Sequence, residues 1–374
     1  MIANKTSECP ASTLNWELSA VPIDSGILYC RREESVPALC IRQAGERAIL
    51  CVFGSGSFDL RIRARIQQLA NEINKHMPMG FKKHPLADNM SILVYIDPHA
   101  ISREAAIKTF LAMEKGLPSV EVSKIPSRTI HLPALFDPPE CQEAVRKYMV
   151  MQRSSAAYLP DNVDFIRRSN GLQTKDDVKN SYFGTPHVVS AVGWMMGLPI
   201  YIALDPRKRL ILPKYNPART WTWAGSLGSG GNTSSIYPND GPGGYMLWGV
   251  TLPACWDTYG QWKGATPGKP WVFEPFDQVI FHEVSRAEFD HSVAAFKSGL
   301  YQIQVEPGIL DMAAYNQLLR STAEEVAQIR KVQQECTFTE LAKEKELYNE
   351  WVNQKKTEEA AKPPRPLLDR RRGK

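Results

Sequence analysis

The sequence has no long apolar run. No segment reaches the roughly 20 uninterrupted apolar residues that a membrane-spanning helix needs, and the first 20 residues contain no apolar stretch flanked by basic residues, the mark of a secretory signal. We therefore expect no membrane contact and a cytoplasmic location. The 374 residues are 43% hydrophobic, which is enough for two or three ordinary globular domains.

Cysteine and histidine patterns that bind metals are absent. The seven cysteines are scattered, odd in number and never in a CxxC pair, which disfavours both a disulfide framework and a zinc site. The seven histidines show no metal-ligand spacing either. There is no GxSxG elbow, and Cys255 has no neighbouring base in the sequence, so we interpret it as a buried core residue. These absences predict no metal and a reducing compartment.

Positive charge is in slight excess, with a formal net charge of +5. Much of the excess lies in the final stretch, KPPRPLLDRRRGK, where proline and like charges oppose folding. This predicts a basic disordered end over residues 358–374. No aromatic platform or nucleic-acid recognition module accompanies it, so nucleic-acid binding is not expected.

Residues 36–125 alternate between strand and helix patterns and follow an N-terminal extension, residues 1–35. Ala48–Phe53 is a short apolar run closed by glycine, typical of a buried strand. Asp59 is placed to cap a helix, Ser91–Ile96 is a second strand, and Ser102 starts a second helix. This pattern predicts a small ferredoxin-like α+β domain.

The helix after Asp59 carries Arg61, Arg63 and Arg65 on the side away from its apolar residues. Charged residues opposite an apolar stripe usually face water. We therefore predict a solvated arginine face and not an anion site.

Residues 126–306 show a different pattern of secondary-structure signals. Cys141–Tyr158 is interpreted as one helix, and beyond Tyr201 the strands are short and broken by Pro, Gly and Asn, which is typical of a β-barrel or sandwich. Residues 307–357 are predicted as a helical tail that Asp311 can cap. The predicted fold class is thus α+β, with a small domain, a barrel domain and a C-terminal helical tail.

Two glycine-rich runs lie in the barrel region. Glycine turns allow backbone N–H groups to approach a ligand closely and to point at one oxygen. The candidate substrate-binding residues in these runs are Gly230, Gly231, Asn232, Gly243 and Gly244. The alternative is that glycine serves only the backbone path at tight barrel corners. Dinucleotide binding is disfavoured because no long helix follows.

The run from Gly225 to Pro238, followed by Asp240–Tyr245, resembles the allophanate hydrolase subunit 1 family. That family supplies the first half of the carboxyltransferase domain of urea carboxylase, and it includes 5-oxoprolinase subunits and Kip-type histidine-kinase inhibitors. Further stretches resemble the fungal urea amidolyase version: Tyr158–Phe165, Gly197–Tyr201 leading into Asp205–Arg207, and Pro270–Val279. The resemblance covers about Cys40 to Val305 and implies a cyclophilin-like barrel.

Carboxyl transfer from N-carboxybiotin to an amide nitrogen needs fixed donors for a developing negative charge and an oriented acceptor nitrogen. Asn162 offers both a donor and an acceptor that can position an amide, or it caps a helix together with Asp161. Tyr237, between the glycine runs, either donates its hydroxyl or packs in the core.

Three cations accompany the glycine runs. Lys214, Arg219 and Arg207 can hold a carboxylate or a bicarbonate-derived group. Any one of them alone is better interpreted as an ordinary surface residue. As a set beside the glycine runs they are candidate site residues, with Asn162, Lys214, Arg219 and Tyr237 as the catalytic group.

The sequence also departs from the family pattern. Gly249–Thr251 stands where the family usually has Gly-Arg-Thr, and there is no second carboxyltransferase half, biotin carboxylase region or Met-Lys-Met biotin site. We expect no covalently bound cofactor, with carboxybiotin supplied by a partner protein.

Three functions stay open. The first is a carboxyltransferase half that acts on an amide, lactam or carboxylate with a second carboxyltransferase half or a biotin-dependent carboxylase. The second is a stand-alone tailoring enzyme of a fungal specialised-metabolite pathway. The third is a non-catalytic Kip-type binding or inhibitor protein.

Overall fold

The computed structural model describes residues 26–33, 36–54, 58–257, 259 and 268–361. Most of the predicted N-terminal extension and most of the predicted basic end lie outside the described residues. Within the described part of the chain, no helix is both long enough and apolar enough to cross a membrane.

A five-stranded antiparallel sheet forms the small domain, in the order β1-β2-β3-β5-β4. Its strands are β1 (Ile27–Glu33), β2 (Val36–Gln43), β3 (Ala48–Phe53), β4 (Leu86–Ala87) and β5 (Ser91–Tyr95). Helices α1 (Leu60–His76) and α2 (Arg103–Lys115) share one apolar core with it. Asp59 and Ser102 cap these helices as predicted, each accepting a backbone N–H at 2.8 and 3.2 Å. The sheet already begins at Ile27, within the segment predicted as an extension.

A closed seven-stranded barrel forms the second domain. The strand order is β13-β10-β11-β8-β7-β14-β6, and pairing of β13 with β6 closes it. The strands are β6 (Lys124–Phe136), β7 (His187–Val192), β8 (Pro199–Ala203), β10 (Ser226–Gly230), β11 (Thr233–Ile236), β13 (Met246–Thr251) and β14 (Gln278–Glu283). Strand β15 (Gln304–Asp311) adds to β6, and β9 (Arg219–Thr222) pairs with β12 (Gly241–Gly243) as a separate ribbon.

Helices surround the barrel. They are α3 (Pro139–Met151), α4 (Asn162–Ser169), α5 (Lys175–Tyr182), α6 (Arg286–Lys297), α7 (Met312–Ser321) and α8 (Ala323–Ala360). The predicted helix over Cys141–Tyr158 is too long, because the chain turns inward after Met151 and buries Arg153 and Tyr158. Residues 307–311 are strand and not helix, since they pair with β6. Asp311 caps α7 as predicted.

The predicted α+β architecture is confirmed: a small ferredoxin-like domain, a cyclophilin-like closed barrel and a C-terminal helix. The prediction of a solvated arginine face is wrong for Arg63 and Arg65, whereas the Arg61 side chain is partly exposed and pairs with Asp59. Arg63 is fully buried and its Nε donates to the carbonyl of Ser190 in the barrel at 2.5 Å, while Arg65 pairs with Glu114. The reason is that the barrel packs on this side of α1, where Leu60 joins an apolar cluster with barrel residues.

The cysteines in the described part of the chain differ in their bonding state. Cys255 is completely buried, as predicted. Cys30 is disulfide-bonded, which the scattered spacing did not predict, and Cys40, Cys51, Cys141, Cys255 and Cys336 are free thiols.

Candidate functional site

Asn162 is the first residue of α4, but Asp161 is the residue that caps the helix, accepting a backbone N–H at 2.9 Å. The Asn162 side chain therefore turns inward and is 4% exposed. Its Nδ2 donates to the Tyr158 carbonyl at 2.9 Å, and its Oδ1 accepts from the Leu247 N–H at 3.0 Å. It also contacts the Tyr215 hydroxyl at 2.7 Å. Asn162 thus joins α4, the preceding loop and β13.

Arg219 and Tyr237 belong to the same buried group as Asn162. The Arg219 guanidinium lies over the Tyr215 ring, 4.4 Å from its centre, and donates to the Tyr245 carbonyl at 2.7 Å and to the Tyr237 hydroxyl at 3.4 Å. Its hydrogen-bond acceptors in the described structure are neutral. Burial raises the pKa of Tyr215 to about 12 and also raises that of Tyr237. Both hydroxyls therefore stay protonated at neutral pH. The Tyr215 hydroxyl donates to Asn162 Oδ1, whereas the Tyr237 hydroxyl accepts from Arg219 and from the Tyr245 N–H.

The glycine runs make room for tyrosine rings. Gly230 and Gly231 lie at the β10–β11 hairpin, and Gly231 has a left-handed φ of 67°. A Cβ on Gly230 would lie 2.6 Å from the Tyr245 ring, and one on Gly243 would lie 2.2 Å from the Tyr237 hydroxyl. The space that glycine leaves is thus filled by the protein's own side chains. A role of these glycines in substrate binding stays a prediction.

Lys214 lies beside the same glycines. Its side chain is exposed, with the ammonium 5.3 Å from the Tyr245 ring centre. A Cβ on Gly244 would contact the Lys214 Cβ at 3.6 Å, and one on Gly230 would contact its Cγ at 3.1 Å. The structure therefore brings together one exposed cation and both glycine runs.

Arg207 and Asn232 are exposed and are not part of the buried group around Asn162. Arg207 forms ion pairs with Asp205 at 2.7 Å and with Glu325 of α8 at 3.2 Å. Asn232 is exposed at the hairpin turn between β10 and β11. Their predicted roles in substrate binding stay predictions.

A cavity of about 310 Å³ adjoins Asn162, between α3 and the starts of α4 and α5. Its size lies at the lower end of the range for small-molecule sites. The residues that line it are Asp137, Cys141, Gln142, Val145, Pro160, Asp161, Asn162, Lys175 and Leu247. Asn162 is the candidate site residue that lines this cavity, and Arg219 lines a second one of about 240 Å³ together with Lys147, Tyr148, Met151, Gln152, Thr220 and Trp221.

Three charged groups face this cavity. The Lys175 ammonium lies 2.5 Å from Asp161 and 3.7 Å from Asp137. Burial, and next the charge of Asp161, raises the pKa of Asp137. Burial also raises the pKa of Cys141, so this thiol stays protonated and is not a nucleophile. The cavity thus presents two carboxylates and one ammonium.

Local structure fixes these charges in place. Lys175 is the first residue of α5, whose start is set by a capping box between Thr174 and Asp177. Asp137 directly follows β6 and has a left-handed φ of 45°, which is uncommon for a residue other than glycine and occurs more often at functional sites. Neither Asp137 nor Lys175 was predicted as a site residue from the sequence. One feature of the sequence points to Asp137 as a site residue, because it is a polar residue directly after a predicted strand. No such feature points to Lys175.

The family model for the carboxyltransferase domain, subdomain C and D, matches residues 39–265. This chain belongs to that family. The match includes the cavity, the buried group around Asn162 and both glycine runs, whereas β15, α7 and α8 follow it.

Three similar proteins come from fungi. A protein of Emericella nidulans that carries the name urea carboxylase is 35% identical over 354 residues, covering 92% of this chain and 28% of the relative. The urea amidolyase of Saccharomyces cerevisiae is 32% identical over 311 residues, covering 83% of this chain and 17% of the relative. The crystal structure of Kluyveromyces lactis urea carboxylase gives a TM-score of 0.75 at 31% identity, covering 83% of this chain and 28% of that one.

The chain therefore spans less than a third of the length of these relatives. The predicted resemblance to the carboxyltransferase part of urea amidolyase is confirmed. Carboxyltransferase ancestry is thus established, while the substrate and the partner are separate questions.

Proposed function

We propose that this chain is half of a carboxyltransferase that acts on a small amide, lactam or carboxylate and needs a partner half to transfer the carboxyl group. The observation that carries the proposal is the cavity beside Asn162, which lies within the carboxyltransferase match. Such a cavity can hold a small acceptor molecule next to rigid polar groups.

The charges in the cavity favour a neutral acceptor. Asp137 and Asp161 bring two negative charges against the single positive charge of Lys175, so a carboxylate would meet net repulsion. An amide or lactam supplies an N–H for a carboxylate to accept and a carbonyl for an ammonium to bind. Among the three substrate classes, we therefore favour amides and lactams.

Each residue has a chemical task under this proposal. Lys175 donates to the acceptor's carbonyl oxygen, and Asp137 accepts the proton that the nitrogen loses when it gains the carboxyl group. The raised pKa of Asp137 brings this carboxylate closer to the range in which a general base works at neutral pH. The buried group of Asn162, Tyr215 and Arg219 keeps the cavity wall rigid.

Carboxybiotin, delivered by a partner, would supply the carboxyl group: the bond between its ureido nitrogen and the carboxyl carbon would break, and that nitrogen would take up the proton released by the acceptor. The exposed ammonium of Lys214 beside Gly230 and Gly244 fits an incoming anionic group. A partner half or a biotin-dependent carboxylase would bring that group, since the relatives are several times longer than this chain.

Calorimetric titration of the full chain with acetamide, 2-pyrrolidinone and acetate tests the acceptor site. We expect the two neutral ligands to bind and acetate to bind weakly or not at all. Asp137→Asn and Lys175→Met each remove a charged hydrogen bond and should weaken binding roughly tenfold or more. Lys297→Met, an exposed change at the end of α6, is the matched control and should have no effect.

Capture of partners from the native host tests the requirement for a second half. Recovery of a second carboxyltransferase half or of a biotin-dependent carboxylase supports the proposal. Amide binding without any such partner would instead favour a stand-alone tailoring enzyme. Preferential acetate binding would contradict the assignment of the cavity as an amide site.

A further inference from the structure

Helix α8 is joined to the barrel mainly by polar contacts. It has 38 residues, and Gln333 is its buried residue in the described structure. The Thr337 hydroxyl donates to the Ser169 carbonyl at 2.8 Å, and Arg330 donates to the Pro206 carbonyl at 3.1 Å. These directed contacts, together with Leu347, which packs against the barrel core, determine where the helix lies.

Two glutamates of α8, one turn apart, act on a single residue of the loop before α4. Glu344 Oε2 accepts the Ala157 N–H at 2.9 Å. Arg168 donates to the Ala157 carbonyl at 2.9 Å, and Arg168 is itself ion-paired with Glu340. The helix therefore fixes both polar backbone groups of Ala157, one directly and the other through Arg168.

Glu344 also supplies the counter-charge for a fully buried arginine. The Arg153 guanidinium pairs with Glu344 and donates to the Asn216 carbonyl at 3.0 Å. The rings of Tyr348 and Trp351, further along α8, lie 5.2 and 5.8 Å from it. The side chain of Glu344 is only 14% exposed, so both charges lie largely out of water.

Tyr158 connects this contact to the cavity. It follows Ala157, and its carbonyl accepts from Asn162 Nδ2 at 2.9 Å. Its ring lies 4.2 Å from the ring of Tyr215, which exchanges hydrogen bonds with the same asparagine. Pro160, two residues later, lines the cavity. A shift of Ala157 would therefore move Asn162 and one cavity wall together.

We propose that Glu344 and Glu340 are positioning residues, through which α8 clamps the loop 153–161 and sets the geometry at Asn162. The functional meaning of the clamp rests on the proposed acceptor site, but the clamp itself is measurable without activity. Both glutamates lie beyond the family-model match, so α8 would be an added support of the site.

Hydrogen exchange and side-chain amide resonances of the ¹⁵N-labelled full chain test the clamp. Glu344→Ala should speed exchange of the Ala157 amide roughly tenfold or more, because that amide loses a charged acceptor. The Asn162 side-chain resonance should shift in the same variant, and acetamide affinity should fall. Glu344→Gln keeps an acceptor for Ala157 and should restore part of the protection.

Glu346→Gln is the control, because Glu346 is exposed on the same helix, and it should change none of these signals. Unchanged Ala157 exchange and an unshifted Asn162 resonance in Glu344→Ala would overturn the clamp, even if acetamide binds. If Glu344→Ala does not fold, the Ala157 amide exchange and the Asn162 resonance are measured in Glu344→Gln and Glu340→Gln instead. No change of either signal in both variants would overturn the clamp. Faster exchange in a chain whose wild type binds no amide would keep the clamp and defeat the proposed function.

Discussion

Two buried arginines lie at two contacts of the barrel, and they are satisfied in different ways. Arg153, beneath α8, meets the carboxylate of Glu344. Arg63, between the barrel and the small domain, donates to two neutral acceptors, the Ser190 carbonyl and the Gln67 side chain, and lies 5.1 Å from the Phe276 ring centre. Both guanidinium groups keep buried nitrogens without a hydrogen-bond partner, Nη1 in Arg63 and Nε and Nη2 in Arg153, so the difference between them is the carboxylate.

Their pKa values reflect that difference. Burial lowers the pKa of Arg63 to about 10. Burial also acts against the charge of Arg153, but the hydrogen bond and the charge of Glu344 outweigh it and raise its pKa. The α8 contact therefore depends on an ion pair, whereas the small-domain contact depends on the apolar cluster around Leu60 and Phe276. The two contacts should respond differently when the arginine is removed.

Arg153→Met should lower the free energy of unfolding most of the three arginine substitutions. It leaves Glu344 largely buried without a counter-charge, and such a loss typically costs about 3 kcal/mol or more. Guanidinium chloride unfolding of the wild type and the variant gives this difference. Arg153→Met combined with Glu344→Gln should recover part of the loss, since the uncompensated charge is gone. If Arg153→Met loses no more stability than the double variant, the stability of this contact does not depend on the ion pair between Arg153 and Glu344.

Arg63→Met should cost less than about 1 kcal/mol, because the lost hydrogen bonds are offset by removal of an unpaired buried charge. The folded-state pKa of Arg63, about 10, lies below its unfolded value, so burial of the charged form lowers the stability of the folded state. This cost is present in full below about pH 10 and shrinks above it, because the folded protein then releases the proton. The stability of the wild type relative to Arg63→Met should therefore increase as the pH rises above about 10. Unfolding curves at matched pH values measure it. A loss as large as that of Arg153→Met would instead identify Asp88, whose charge acts on Arg63, as a true counter-ion.

Local signals in the sequence predicted the fold well. Asp59, Ser102 and Asp311 cap helices as expected, because capping depends on residues within one turn. The end of α3 was missed, since the apolar pattern continues through Met151 while the chain turns inward to bury Tyr158. That turn depends on partners far away in the chain.

The candidate site was predictable only in part. Asn162 was singled out by its motif, and the structure places it at the cavity. Lys175 and Asp137 come together with it only after β6, α4 and α5 have packed. The burial of Arg63 was missed for a related reason: a helix face looks solvated in the sequence when the surface that covers it belongs to another domain.

Arg207→Ala should change the stability of the protein least of the three arginine substitutions, because Arg207 is ion-paired but exposed. Its ion pairs with Asp205 and with Glu325 of α8 lie in water, where salt screens them and side-chain entropy offsets much of their attraction. We expect an unfolding midpoint within experimental error of the wild type, and unchanged protection of the Ala157 amide, since Glu344 is untouched. A marked loss of stability at low salt that vanishes at high salt would show that Glu325 anchors α8 together with Glu344. Weaker binding of a small-molecule ligand without any change in stability would instead support the substrate-binding role predicted for Arg207 from the sequence.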